Sequence, residues 1–151
     1  MESGEAFDAA VKHAQEVGIS ETDPAGDIDG WDAAVKVAAL ATVLMDVPTK
    51  PAEVARTGIR EITPQMVQAA RAQGQRYRLM CSAERDGEKV LTRVAPQLLP
   101  ASSPFYAVEG TTSMIQFTTD VLGDLTLVEN DPGPQTTAYG LLADFINAFK
   151  A

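Results

Sequence analysis

The spacing of apolar side chains changes character at Gly74, and that change restricts the chain to folds that combine helices with a sheet. Before Gly74 the intervals are helical. Ala6, Phe7, Ala10, Val11 and Ala14 mark an amphipathic helix over residues 5–17, and Gly18 stands where a left-handed residue commonly ends a helix. Residues 31–45 carry no charge beyond Lys36, which predicts a helix buried on most of its circumference. A short helical turn is expected over residues 52–56. Thr63 and Pro64 then supply a cap and a first position for a helix over residues 65–73. After Gly74, residues 76–85 and 88–97 flank Asp86-Gly87 as two strands of a hairpin, and residues 113–119 and 125–129 form a second pair around Gly123-Asp124. Ala138, Leu141, Leu142, Phe145, Ile146 and Phe149 then return to helical spacing, as a stripe expected to lie across the sheet. The predicted class is α+β, with helices packed on a mostly antiparallel sheet.

A chain of 151 residues suits one globular core, so a single domain over residues 1–151 is expected. Its formal net charge of -9 would repel a phosphate backbone, which argues against a nucleic-acid partner. Cys81 is the one cysteine and cannot close an intramolecular disulfide, and the first five residues are acidic rather than basic and apolar. A reduced, cytoplasmic protein is expected. The longest apolar stretch, residues 37–45, is about half the ~20 residues a membrane-spanning helix needs, so no membrane partner is expected.

The densest chemistry lies in residues 21–36, where Glu21, Asp23, Asp27, Asp29 and Asp32 surround Pro24, Gly26 and Gly30 and lead to Lys36. Asp32 and Lys36 stand at i,i+4 and share one helix face. Carboxylates there could hold a substrate ammonium group, while a lysine near a carbonyl oxygen could donate or remove a proton. The same letters fit a structural account: Asp29 as a helix cap, Asp32 completing a capping box, and Asp32 with Lys36 as a solvated pair worth ~0.3–0.5 kcal/mol. A calcium loop does not fit, because its first and twelfth positions would be Ala25 and Lys36. His13 has no second histidine or cysteine near it and reads as solvated. Cys81 reads as a small core residue, and Trp31 could either line a pocket or anchor the helix end.

The spacing of Glu21, Asp23, Pro24, Asp27, Gly30, Asp32 and Lys36 resembles the signature of homoserine dehydrogenases, with only the family's doubled aspartate broken by Gly26. The resemblance implies that Glu21, Asp27 and Asp32 bind an amino-acid substrate. It further implies that Asp32 orients the reacting oxygen and that Lys36 is the catalytic proton donor or acceptor. It implies reversible interconversion of L-aspartate 4-semialdehyde and L-homoserine with NAD or NADP, in a homodimer. Gly133 and Thr137 match part of a glycine-rich turn that approaches the cofactor in the family, but Glu129, Asn130 and Asp131 stand where that turn has other residues. Residues 110–117 follow the family's strand entry in pattern more than in letters. No strand, glycine-rich turn and helix of a nucleotide-binding domain can be found, and no residue matches the family's second essential lysine. The expectation is therefore the catalytic, substrate-binding domain of a larger oxidoreductase, inactive by itself. The alternative is a non-catalytic amino-acid-binding or regulatory module of the same fold.

Overall fold

Gly18 takes a φ of 75° immediately after the first helix, α1 (Phe7–Glu16), as its place behind an amphipathic stripe predicts. The computed structural model describes residues 5–18, 20–130 and 132–150. They divide into two units, Met1–Tyr106 and Ala107–Ala151.

In the first unit, α1 is followed by a one-turn helix α2 (Ala25–Ile28) and by α3 (Trp31–Leu44). The expected helical turn at 52–56 is shorter: a 3-10 turn covers Pro51–Glu53, and Ala55–Arg56 is instead a strand, β1. Helix α4 (Pro64–Ala72) begins as predicted, with the Thr63 hydroxyl accepting from the Met66 amide at 3.2 Å. Strands β2 (Gln75–Asp86) and β3 (Lys89–Pro100) form a long antiparallel hairpin in which Asp86 pairs with Lys89. The turn residues are therefore Gly87 and Glu88 rather than Asp86 and Gly87. Gly87 alone has a positive φ (60°), which suits a two-residue hairpin turn with glycine first. The sheet order is β1-β3-β2, and β1 runs parallel to β3 through Ala55 opposite Arg93 and Arg56 opposite Val94.

Ala34, Val37, Ala38 and Ala41 follow one another at helical spacing and form the buried stripe of α3. Small side chains let α3 approach β2 and β3 closely, and Val94, wholly buried on the central strand, fills the space between them with Val54. Leu79 and Ala83 of β2 pack around this cluster. The expectation that α3 is buried on most sides is corrected: Val35, Val43 and Leu44 remain exposed, because within this unit only one face meets the sheet.

In the second unit, β4 (Ser113–Thr119) and β5 (Gly123–Glu129) pair antiparallel, with Gly123 at φ 68° opposite Thr119. Helix α5 (Pro134–Ala148) follows. Its apolar stripe is expected to lie across the sheet, yet Leu141, Leu142, Phe145, Ile146 and Phe149 are all exposed. Amphipathic spacing states which face can be buried, not what buries it. Among the described residues no helix is long and apolar enough to cross a membrane.

Candidate functional site

Asp23 starts the local order of the acidic stretch. Its Oδ1 accepts the Ala25 amide at 3.0 Å, which satisfies a helix-start donor, and α2 forms within what the sequence reads as loop. A single turn is too short to show apolar periodicity, although Ile28 is buried. Gly30 then turns the chain with φ 75° and is the N-cap of α3; a Cβ at this position would lie 3.1 Å from Val94 Cγ1. Asp29 is therefore not the cap, and Asp32 does not complete a capping box.

From this start α3 presents Asp32 in its first turn and Lys36 one turn later, with Lys36 Nζ 2.7 Å from Asp32 Oδ2. Both side chains are more than half exposed, at 70% for Lys36 and 54% for Asp32, so the pair faces solvent and can meet a ligand. Asp27 lies on α2, which packs against α3, and its Oδ2 accepts the Ser20 hydroxyl at 2.9 Å. Glu21 is exposed and is placed through its backbone, whose carbonyl accepts from Gln15 Nε2 of α1 at 3.0 Å; the Thr22 carbonyl accepts from the same nitrogen at 3.1 Å. The structure thus joins Asp32 to Lys36 directly and sets Asp27 on the neighbouring helix. Among the described residues no ion pair ties Glu21 or Asp27 to Lys36.

Two arginines missed in the sequence grip the same segment. Arg60 Nε and Nη2 donate to the two oxygens of Asp29 at 2.5 and 3.0 Å, and these hydrogen bonds hold the Asp29 carboxyl below the ordinary carboxylate range. Arg56 donates to the Asp29 carbonyl oxygen and stacks on Trp31, 3.7 Å from the ring centroid. Trp31 is therefore anchored at the helix entrance while keeping 42% of its surface exposed.

Cys81 is also misjudged by the sequence, which makes it a core residue. The residue is exposed, yet its sulfur lies 4.0 Å from the Ala33 carbonyl oxygen beneath α3. That local burial pushes the thiol above its ordinary value, the Lys36 ammonium opposes the shift, and Asp32 reinforces it. The reactivity of Cys81 therefore offers a test of the charge of the candidate pair. At fixed neutral pH, Lys36→Ala should slow alkylation of Cys81 by iodoacetamide and Asp32→Asn should speed it, because the thiolate is the nucleophile. Equal rates in both variants, followed by mass spectrometry, would place the thiol outside the field of the pair.

Gly133 and Thr137 belong to the second unit and cap α5. The Gly133 amide donates to Thr136 Oγ1 at 3.1 Å, and the Thr136 and Thr137 hydroxyls donate to the Gly133 carbonyl at 2.7 and 3.5 Å. The φ of Gly133, -140°, is open to any residue. Asp131, part of the altered turn, lies outside the described residues. A dinucleotide site needs a parallel strand whose glycine-rich turn meets a helix N-terminus. Among the described residues the parallel pairing is confined to two residues of β1, and β1 is followed by no such unit.

Comparison with known proteins identifies the family. The sequence profile of the family described as homoserine dehydrogenase matches residues 1–146. An NAD(+)-dependent homoserine dehydrogenase of Pseudomonas canavaninivorans is 32% identical over 152 residues, covering 100% of this chain and 43% of that protein. The crystal structure of a homoserine dehydrogenase from Thiobacillus denitrificans superposes with a TM-score of 0.86 at 31% identity, over 95% of this chain and 33% of that one. A hyperthermophilic archaeal homoserine dehydrogenase mutant, in complex with NADPH, gives a TM-score of 0.74 at 32% identity, over 99% of this chain and 42% of that one. The chain therefore spans less than half the length of these relatives, and over that span it belongs to the homoserine dehydrogenase family.

Proposed function

We propose that this chain is the substrate-binding and catalytic portion of a homoserine dehydrogenase that interconverts L-aspartate 4-semialdehyde and L-homoserine. The observation that carries this reading is the exposed Asp32–Lys36 contact of 2.7 Å at the start of α3, with Asp27 on the neighbouring helix α2. Both units would serve one substrate-binding domain, working with a nucleotide-binding domain elsewhere in a longer polypeptide. NAD or NADP would supply or accept the hydride when bound there, with Gly133 and Thr137 the residues of this chain assigned to the cofactor side.

The chain's own residues would bind the substrate and manage one proton. Glu21 and Asp27 would hold the amino-acid end, where their negative charge suits an ammonium group. Asp29 is already neutralised by Arg60 and is not available for this role. In the direction of reduction the aldehyde oxygen gains negative charge and takes a proton from the Lys36 ammonium. In the direction of oxidation the neutral amine takes the hydroxyl proton. Asp32 keeps the Lys36 nitrogen within reach of that oxygen, so its part is orientation as well as charge. A cytoplasmic homodimer serving amino-acid biosynthesis toward threonine and methionine completes the proposal.

The test joins this chain to the nucleotide-binding portion of a homoserine dehydrogenase and follows reduction of NAD and NADP with L-homoserine. Glu21→Gln and Asp27→Asn should each raise KM about tenfold or more while changing kcat less, as loss of a charged contact to the ground state predicts. Homoserine binding without turnover would favour the non-catalytic binding module instead. Unchanged KM in both variants would remove these carboxylates from the substrate site.

A further inference from the structure

The acidic stretch is held from one side by a segment about thirty residues later in sequence. Ile59 donates its amide to the Ile28 carbonyl at 2.9 Å, so residues 56–60 run alongside residues 28–30. The approach is very close at Gly58, where an added Cβ would lie 2.4 Å from the Ile28 carbonyl oxygen and 2.7 Å from Asp29 Cα. Arg56 and Arg60 flank this contact. Arg56 is fixed at its base by the β1–β3 pairing and reaches both the Asp29 carbonyl and the Trp31 ring. Arg60 takes both carboxylate oxygens of Asp29.

We propose that Arg60, with Arg56, is a positioning residue: the two guanidinium groups fix the Asp29–Gly30 turn, and that turn sets where α3 begins and so where Asp32 and Lys36 stand. The proposal rests on the functional reading of Asp32 and Lys36 given above. Its physical basis is that every atom gripped, namely the Asp29 carboxylate, the Asp29 carbonyl and the Trp31 ring, lies within the three residues preceding Asp32. A guanidinium that meets both oxygens of a carboxylate fixes orientation as well as distance. An ion pair with 55% and 31% of its side-chain surfaces exposed adds little to global stability. A bidentate contact of small energetic weight at Asp29, three residues before Asp32 and about two helical turns before Lys36, therefore acts mainly on geometry.

The test uses the full chain with Arg60→Ala and Arg60→Lys, and reads two quantities: L-homoserine affinity by calorimetry, and amide exchange at residues 28–34. Arg60→Ala should weaken homoserine binding about tenfold and speed exchange at Gly30 and Ala34 by a similar factor, as loss of a charge-assisted bidentate pair predicts. Exchange in α4 should stay unchanged. Both variants should keep thermal stability close to wild type, and Arg60→Lys, which keeps the charge but not the fork, should recover only part of the affinity. A wild-type chain that binds no homoserine overturns the functional reading and the positioning role that rests on it. A wild-type chain that binds homoserine as tightly as Arg60→Ala does overturns the positioning role alone, and so does unchanged exchange at residues 28–34.

Discussion

Lys36→Ala should lower homoserine turnover by about a hundredfold to ten-thousandfold, with homoserine affinity changed only a few-fold, because a positioned proton donor contributes in that range. The measurement is kcat for homoserine oxidation, in this chain joined to a nucleotide-binding portion, beside calorimetric binding of homoserine. The split matters because the exposed Lys36 side chain is not needed to hold the fold: the buried stripe of α3 runs through Ala34, Val37, Ala38 and Ala41 instead. Lys36→Arg separates charge from proton transfer. An arginine would keep the pair with Asp32, yet its guanidinium does not give up a proton at neutral pH, so turnover should remain low. Recovery with arginine would recast Lys36 as an electrostatic contact, and turnover within about threefold of wild type in Lys36→Ala would remove it from the proton path.

The parts of this protein that were legible in its sequence are those that neighbouring residues decide. Thr63 and Pro64 set the start of α4, and Gly18 ends α1 through its own φ, so both could be placed from a few letters. The Asp32–Lys36 contact belongs to the same class, because i,i+4 spacing on a helix brings the two together without help from elsewhere. The chemical role proposed for them rests on the resemblance of residues 21–36 to a family signature, since an isolated pair of this kind fits a solvated surface equally well.

What could not be read depends on distant partners. Strand β1 exists because Ala55 and Arg56 find Arg93 and Val94 on β3, and two residues carry no alternation of their own. The structural account with Asp29 as helix cap does not hold for the same reason: the carboxylate that suits a helix start is drawn instead to Arg60, thirty-one residues away. Cys81 sits on a strand whose neighbours suggest burial, yet the residue is exposed, with its sulfur 4.0 Å from the Ala33 carbonyl oxygen of α3. In α5 the spacing predicts a stripe that lies across the sheet, yet Leu141, Leu142, Phe145, Ile146 and Phe149 are exposed, because spacing alone does not say what covers a face.

Gly58→Ala should destabilise the first unit by about 2–3 kcal/mol, the upper part of the range for forcing a methyl group into a filled space. The contact leaves little freedom, because the new carbon would meet a carbonyl oxygen and an α-carbon, at 2.4 and 2.7 Å, rather than the end of a mobile side chain. Relief requires residues 56–60 to move away from residues 28–30, which would also strain the Ile59–Ile28 hydrogen bond and the two arginine contacts to Asp29. Stability and site geometry should therefore fail together. The chain has one tryptophan, Trp31, at this point, so its fluorescence during urea unfolding reads the affected segment directly. Gly26→Ala is the internal control: nothing lies within 4 Å of an added Cβ, and within α2 the change should be neutral or stabilising by up to about 1 kcal/mol. If Gly58→Ala unfolds at the same urea concentration as Gly26→Ala, the two segments are not pressed together. The acidic turn would then be ordered by α2 and α3 alone, and the arginines would have no fixed frame from which to hold it.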